Sequence, residues 1–194
     1  MKKIYVILTL TVFMFLTGCE SQKNETKKPN NKETEKYSEM LNYKEALEIL
    51  KEDVEAEVLD IETGITFKVK RVVGGFNTLA DVETLTLKDT QKLLKTCGGS
   101  WNIKRRAVIV TVGDKKLAAS IAPFEHSGSE SHKYGDIIDN RSGSTGTGIN
   151  LDSIRDNEMV GVVDIFFYNS VIPGVNRVDE RHQEKVLEAA SYEA

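Results

Sequence analysis

The side chains able to ligate or activate near neutral pH are few in this chain: three histidines, His126, His132 and His182, and two cysteines, Cys19 and Cys97. Imidazole and thiolate are the groups that bind metals or attack carbonyl carbons at that pH. Asp164 adds a carboxylate in an unusual place, flanked by Val162, Val163, Ile165 and Phe166. An ionised carboxylate is costly to bury without a partner. Either strand alternation turns it to solvent or pairs it with Arg105, Arg106 or Arg177, or Asp164 converges with His126 and His182 on a site for a ligand or cation. Separation of Asp164 from both imidazoles by more than about 12 Å would exclude the second arrangement, because one ligand atom could not then touch all three. Cys97 falls on an apolar helical face with Leu87, Thr90 and Leu94, which reads as a small core residue rather than a nucleophile.

A second constellation lies in a polar stretch. His132-Lys133-Tyr134-Gly135-Asp136-Ile137-Ile138-Asp139 resembles the His-x-x-Gly-x-x-x-Asp outline of zinc peptidases that trim D-alanyl peptides of the cell wall, and Asp179-x-x-His182 resembles their later Glu-x-x-His. That resemblance implies zinc on His132, Asp139 and His182, with a fourth position open for water. Weaker patterns read as structure. Gly143-x-x-Gly146-x-Gly148 has no Lys following it as a phosphate loop requires, and no Gly-x-Ser-x-Gly elbow accompanies the many serines. Trp101, after Gly98-Gly99-Ser100, suits either the rim of a core or stacking on a sugar ring.

The start of the chain gives an address. Met1, Lys2 and Lys3 precede an apolar run over 4–16, shorter than the roughly 20 residues of a spanning helix, which is the pattern of an export signal. Leu16-Thr17-Gly18-Cys19 resembles the lipobox of bacterial lipoproteins, which implies cleavage after residue 18, a diacylglyceryl group on Cys19 and a body on the extracytoplasmic face of the cell membrane. Two acyl chains would make the attachment effectively permanent. With Cys19 lipidated, Cys97 has no intramolecular partner, so the fold must stand without a disulfide. The net charge of −4 becomes more negative by two once Lys2 and Lys3 leave, which disfavours nucleic acid as a partner.

The remaining chain must position these groups. Residues 19–40, rich in Ser, Gln, Lys, Asn, Glu and Thr, predict a disordered tether, and 41–194 a single domain. Asn42 with Glu45 predicts a capped helix over 43–52. Runs over 55–61 and 65–73 predict a hairpin, 76–85 a loop or irregular strand, and Thr86 with Asp89 a second helix ending at Gly98-Gly99. A second hairpin is expected over 107–112 and 116–122, its first arm apolar on both faces and therefore central. Residues 127–159 predict a long polar loop, 160–168 a strand, and Asp179 the start of a last helix with Val186, Leu187 and Ala190 inward. The order predicts an α+β domain with a mostly antiparallel sheet and flanking helices.

Several of these segments together, 65–70 with Asp81-Val82-Glu83, 104–120, and Asn169-Ser170 through Asn176-Arg177-Val178-Asp179 to His182-Gln183, resemble an uncharacterised cell-wall-associated domain of spore-forming Gram-positive bacteria. That family shows a His before Ala-Asp-Val-Glu, a Pro-His-Gly, a His-Phe-Cys-Ile-His-Phe strand and a Thr-His-Gly. Here Leu79 precedes Ala80-Asp81-Val82-Glu83, the strand reads Val162-Val163-Asp164-Ile165-Phe166-Phe167, and only His126 and His182 keep their imidazoles, with Asp81, Glu83, Arg177 and Asp179 around them. The resemblance implies a place in the cell envelope, and the replaced positions favour binding over catalysis. The expectation is therefore a lipid-anchored, non-catalytic domain that needs no cofactor and binds peptidoglycan, another envelope component or a partner protein. The alternative is the zinc peptidase.

Overall fold

The computed structural model describes residues 37–193. Cys19, its lipobox, the leader and the expected tether as far as residue 36 lie outside the described residues. In chain order the elements are α1 (Tyr43–Ile49), β1 (Glu55–Asp60), β2 (Ile65–Arg71), β3 (Ala80–Thr84), α2 (Leu87–Thr96), β4 (Arg106–Val112), β5 (Lys115–Ser127), β6 (Ile137–Ile138), β7 (Gly148–Ile149), β8 (Gly161–Phe166), β9 (Val171–Ile172), β10 (Arg177–Val178) and α3 (Glu180–Ala190). The domain is α+β, and every pairing between these strands is antiparallel.

Six strands close into a barrel in the order β1-β2-β3-β8-β5-β4. The period-2 alternation of side chains supplies its interior: Phe67 and Val69, Val82, Val108 and Val110, Leu117 and Ile121, Val163 and Ile165 all belong to one buried core. Helix α1 adds Ala46 and Leu47 to that core, with Leu50 beyond its end, and α2 adds Leu93. The opposite face of β4 and β5 is also apolar because α3 covers it, with Ala107, Ile109 and Ala118 packed against Ala189. Strand β4 is thus a central strand for the reason its composition suggests.

Local chemistry sets the element ends. Both halves of the capping box at Asn42 and Glu45 form, but α1 stops at Ile49, three residues short of the expected Glu52, and Asp53 just beyond it takes a positive φ of 64°. Stretch 76–85 contains the regular strand β3 rather than a loop, paired with β2 and β8. In α3 the buried face carries His182, Val186 and Ala189, while Leu187 is half exposed, so the inward stripe is rotated from the expected one. The folded body also begins by Tyr37, earlier than the expected boundary at 41. Glu39 exchanges backbone hydrogen bonds with Lys116 and Ala118 along the part of β5 that β8 leaves uncovered, and Tyr37 meets Tyr192 edge to face at 5.3 Å.

The long polar loop is folded onto the barrel. Buried Asn150 knits it: its amide nitrogen donates to the carbonyls of Ser129, His132 and Lys133, and its oxygen accepts from the N–H groups of Ser129 and Asp152. Buried Glu83 of β3 anchors the next segment, accepting from Ser153, Ile154 and Asn157. Burial pushes the Glu83 carboxyl up to about 7, partly offset by the Ser153 and Ile154 donors.

Candidate functional site

Asp81 of β3 and Asp164 of β8 are direct cross-strand partners on the outer face of the barrel. Directly opposite side chains in such a pair have Cβ atoms about 5 Å apart, so two carboxylates meet where like charges repel. The third member arrives through an irregularity in β5. Ala122 pairs with Asp164 and His126 with Val162, so four residues of β5 span what two residues of β8 span. Pro123 sits in this bulge, where its missing N–H breaks no ladder bond. A bulge bends a strand and re-aims its side chains; here His126 Nε2 comes 3.0 Å from Asp164 Oδ1 while Nδ1 lies 2.9 Å from Ser127 Oγ.

Glycines permit the close approach. A Cβ on Gly161, whose φ is 104°, would lie 2.1 Å from the His126 carbonyl oxygen, and one on Gly75 would lie 2.5 Å from Asp81 Oδ2. The Phe76 N–H donates to Asp81 Oδ2 at 2.5 Å. Asp81 Oδ1 is buried and meets no N–H or hydroxyl donor; its polar neighbour is the Asp164 carboxylate, a partner only when one of the two carries a proton.

The electrostatics follow from this geometry. Burial, then the charge of Asp164, pushes the Asp81 carboxyl up to about 7, against the pull of the Phe76 N–H and His126. For His126 burial is the largest single influence and opposes protonation. The hydrogen bond and charge of Asp164, joined by the charge of Asp81, outweigh it and raise the imidazole above its ordinary value. The trio can thus hold a proton, or a cation, between its members. It lies beside a groove of about 690 Å³ that His126 and Asp164 line. Phe76, Phe124 and Ile149, each more than a third exposed, line the same groove with Leu151.

Of the residues singled out from the sequence, His126 and Asp164 are brought together. His182 is not the third member. It is buried on α3, stacked on Phe166 at 3.6 Å with Nδ1 2.9 Å from Ser120 Oγ, because the rotated face of α3 presses it onto β5 and β8. Two of the arginines considered for Asp164 are engaged elsewhere, Arg105 with Asp179 and Arg106 with Asp60. The zinc arrangement on His132, Asp139 and His182 does not assemble. His132 is exposed and bound to Ser129 and Ser131, Asp139 is exposed and bound to Thr147, and His182 is in the packed helix. Among the described residues, the metal-competent group of His, Cys, Asp and Glu side chains is Asp81, His126 and Asp164. Cys97 is half-buried at the end of α2, its thiol directed at the Leu93 and Leu94 carbonyls, and burial raises its pKa, which suits a structural residue. Asp81 enters the sequence reading only through the family resemblance, as one of four charged residues around His126 and His182, because 76–85 lacks a clean alternation; the pairing of β3 with β8, which no local pattern encodes, places it opposite Asp164.

No protein-family model, curated protein or solved structure matches the chain.

Proposed function

We propose that this protein is a lipid-anchored, extracytoplasmic binding protein whose barrel domain holds a cell-envelope component, or a segment of a partner protein, in the groove beside His126 and Asp164. The observation that carries the reading is the combination of an exposed apolar rim, Phe76, Phe124 and Ile149, with a small buried polar centre on barrel strands. Few convergent polar groups in an apolar concavity are the usual make-up of a ligand site.

Two features favour binding over covalent catalysis. Asp164 stands where the resembled cell-wall family carries its strand cysteine, and a carboxylate hydrogen-bonded to imidazole is a poor acyl acceptor. Ser127 Oγ touches the other imidazole nitrogen, but the residue is 5% exposed and also donates to Thr145, so its hydroxyl serves the loop.

The test pairs location with binding. Mass spectrometry of the native protein should find Cys19 diacylated and residues 1–18 absent. The purified protein should sediment with isolated cell walls or capture a component of envelope extract, and Phe76→Ala with Phe124→Ala should weaken this at least tenfold. An unmodified thiol at Cys19 would remove the location. Hydrolysis of purified peptidoglycan that disappears in His126→Ala would replace the binding reading with an enzymatic one.

A further inference from the structure

We infer that Asp81, His126 and Asp164 form a binding site for one divalent transition cation of the manganese, iron or zinc type. The proposal does not depend on where the protein resides or on what occupies the groove. Three elements converge on it, β3, β5 and β8, and the ligand atoms of all three side chains lie within 4.8 Å of one another. Three ligand atoms each about 2.1 Å from one ion lie about 3.0–3.6 Å apart, a spacing that His126 Nε2 and Asp164 Oδ1 already have at 3.0 Å, so closing the trio needs movement of at most about an ångström, on the Asp81 side.

A second observation is independent of the clustering. Asp81 Oδ1 is buried without any N–H or hydroxyl donor, on a residue 1% exposed, while its sister oxygen is satisfied by the Phe76 N–H; the polar group beside it is the Asp164 carboxylate, which can bond Asp81 only while one of the two is protonated. An orphaned buried carboxylate oxygen is rare and destabilising, and here it belongs to a carboxyl facing a second carboxyl across the strand pair. A divalent ion answers both problems, supplying the missing partner and offsetting the repulsion. The imidazole is oriented to join the carboxylates on such an ion. Its Nε2 is the nitrogen turned towards them, and Nδ1 is fixed by Ser127 Oγ, the kind of outer hydrogen bond that orients a ligating histidine.

The donor set selects among metals. Two carboxylate oxygens with one imidazole nitrogen suit manganese, ferrous iron or zinc; calcium takes six to eight oxygens, and magnesium keeps most of its waters. Asp164 and His126 both line the groove, so the coordination positions left by three protein ligands face that space. An anionic group on a groove ligand would complete the shell.

The full chain, purified in detergent, stripped with chelator and dialysed, should be titrated calorimetrically with manganese, zinc and calcium chlorides. One equivalent of manganese or zinc should bind, with calcium at least tenfold weaker, and binding should raise the melting temperature. Asp164→Asn and His126→Gln, checked for folding by circular dichroism, should each weaken the transition metal at least tenfold, while His132→Ala should leave it unchanged. Absence of stoichiometric manganese or zinc binding by the folded wild type overturns the proposal. So does binding that survives Asp164→Asn, or that is lost in His132→Ala, which would move the metal to the loop.

Discussion

Asp60 and Arg106 meet where β1 ends and β4 begins, both almost fully buried. The guanidinium binds the carboxylate through two nitrogens, Nε to Oδ2 at 2.5 Å and Nη2 to Oδ1 at 2.8 Å. Asp60 Oδ1 also accepts from the Thr63 N–H and hydroxyl, so one carboxylate closes the β1–β2 turn and neutralises a buried cation. Removing the Asp60 charge leaves the guanidinium only the exposed Glu62 carboxylate at 3.3 Å, so Asp60→Asn should cost about 3 kcal/mol in urea unfolding; a change under about 1 kcal/mol would show that Glu62 or water compensates the guanidinium. His182 governs a different dependence. Burial holds its imidazole down to about 4, against an ordinary value of 6.5, with Asp179 pulling the other way. Above pH 6.5 the ring is neutral folded and unfolded, and its contribution is whole. As pH falls from 6.5 towards 4 the unfolded chain gains a proton that the folded chain refuses, so stability is lost across that window, by about 2–3 kcal/mol at pH 4.5. His182→Gln should lose that much less between pH 7.5 and pH 4.5; equal losses in both proteins would refute the assignment. Legibility at this scale is uneven. Asp164 stands out because a charge sits inside an apolar run, and His126 because imidazoles are few, whereas Asp81 has ordinary neighbours in the sequence and gains its meaning from a strand 83 positions away.

Elements are most readable where a signal is local. The capping box at Asn42, the Thr86 cap and the Gly113-Asp114 turn each depend on residues within a few positions, and all three mark real boundaries. The bulge of β5 is not legible, since its two extra residues are defined against β8, and neither is the rotation of α3, which follows from how it lies across β4 and β5. The stretch 127–159 shows composition misleading in a specific way. Ser, Gly, Asn and Asp suggest solvent, yet here Asn150 is fully buried and uses its side chain as a substitute for sheet pairing. Asn150→Ala removes five hydrogen bonds, leaving several backbone groups unmatched. It should destabilise the domain by roughly 3 kcal/mol and speed thermolysin cleavage between residues 129 and 141 at least tenfold. Unchanged cleavage would mean that Arg141 and Arg155, which bond further loop carbonyls and, through Arg155, the His132 carbonyl as well, suffice to hold it.

At the scale of the molecule, closure is the property that matters. The antiparallel α+β character is readable from the order of elements, but the pairing of β1 with β4, which turns a sheet into a barrel, joins residues about fifty positions apart and has no local trace. A closed six-stranded sheet lacks a lateral edge at which part of it could separate, so its strands should melt together. Trp101, the single tryptophan, packs against the barrel core and reports on it by fluorescence. Its urea transition should coincide with that of far-ultraviolet circular dichroism, and two separated midpoints would mean that the barrel and its coverings unfold independently. The segment at Tyr37 to Glu39 carries a further implication if the proposed lipid anchor holds the chain by its front end. It runs beside β5, with the Ser38 hydroxyl bonded to the Ala189 carbonyl and Tyr37 against Tyr192, so the first and last described residues share one corner. Tension transmitted down a leash would be borne there, by a seam two backbone bonds wide, and would pass straight into β5, the strand that carries Phe124 and His126 to the groove.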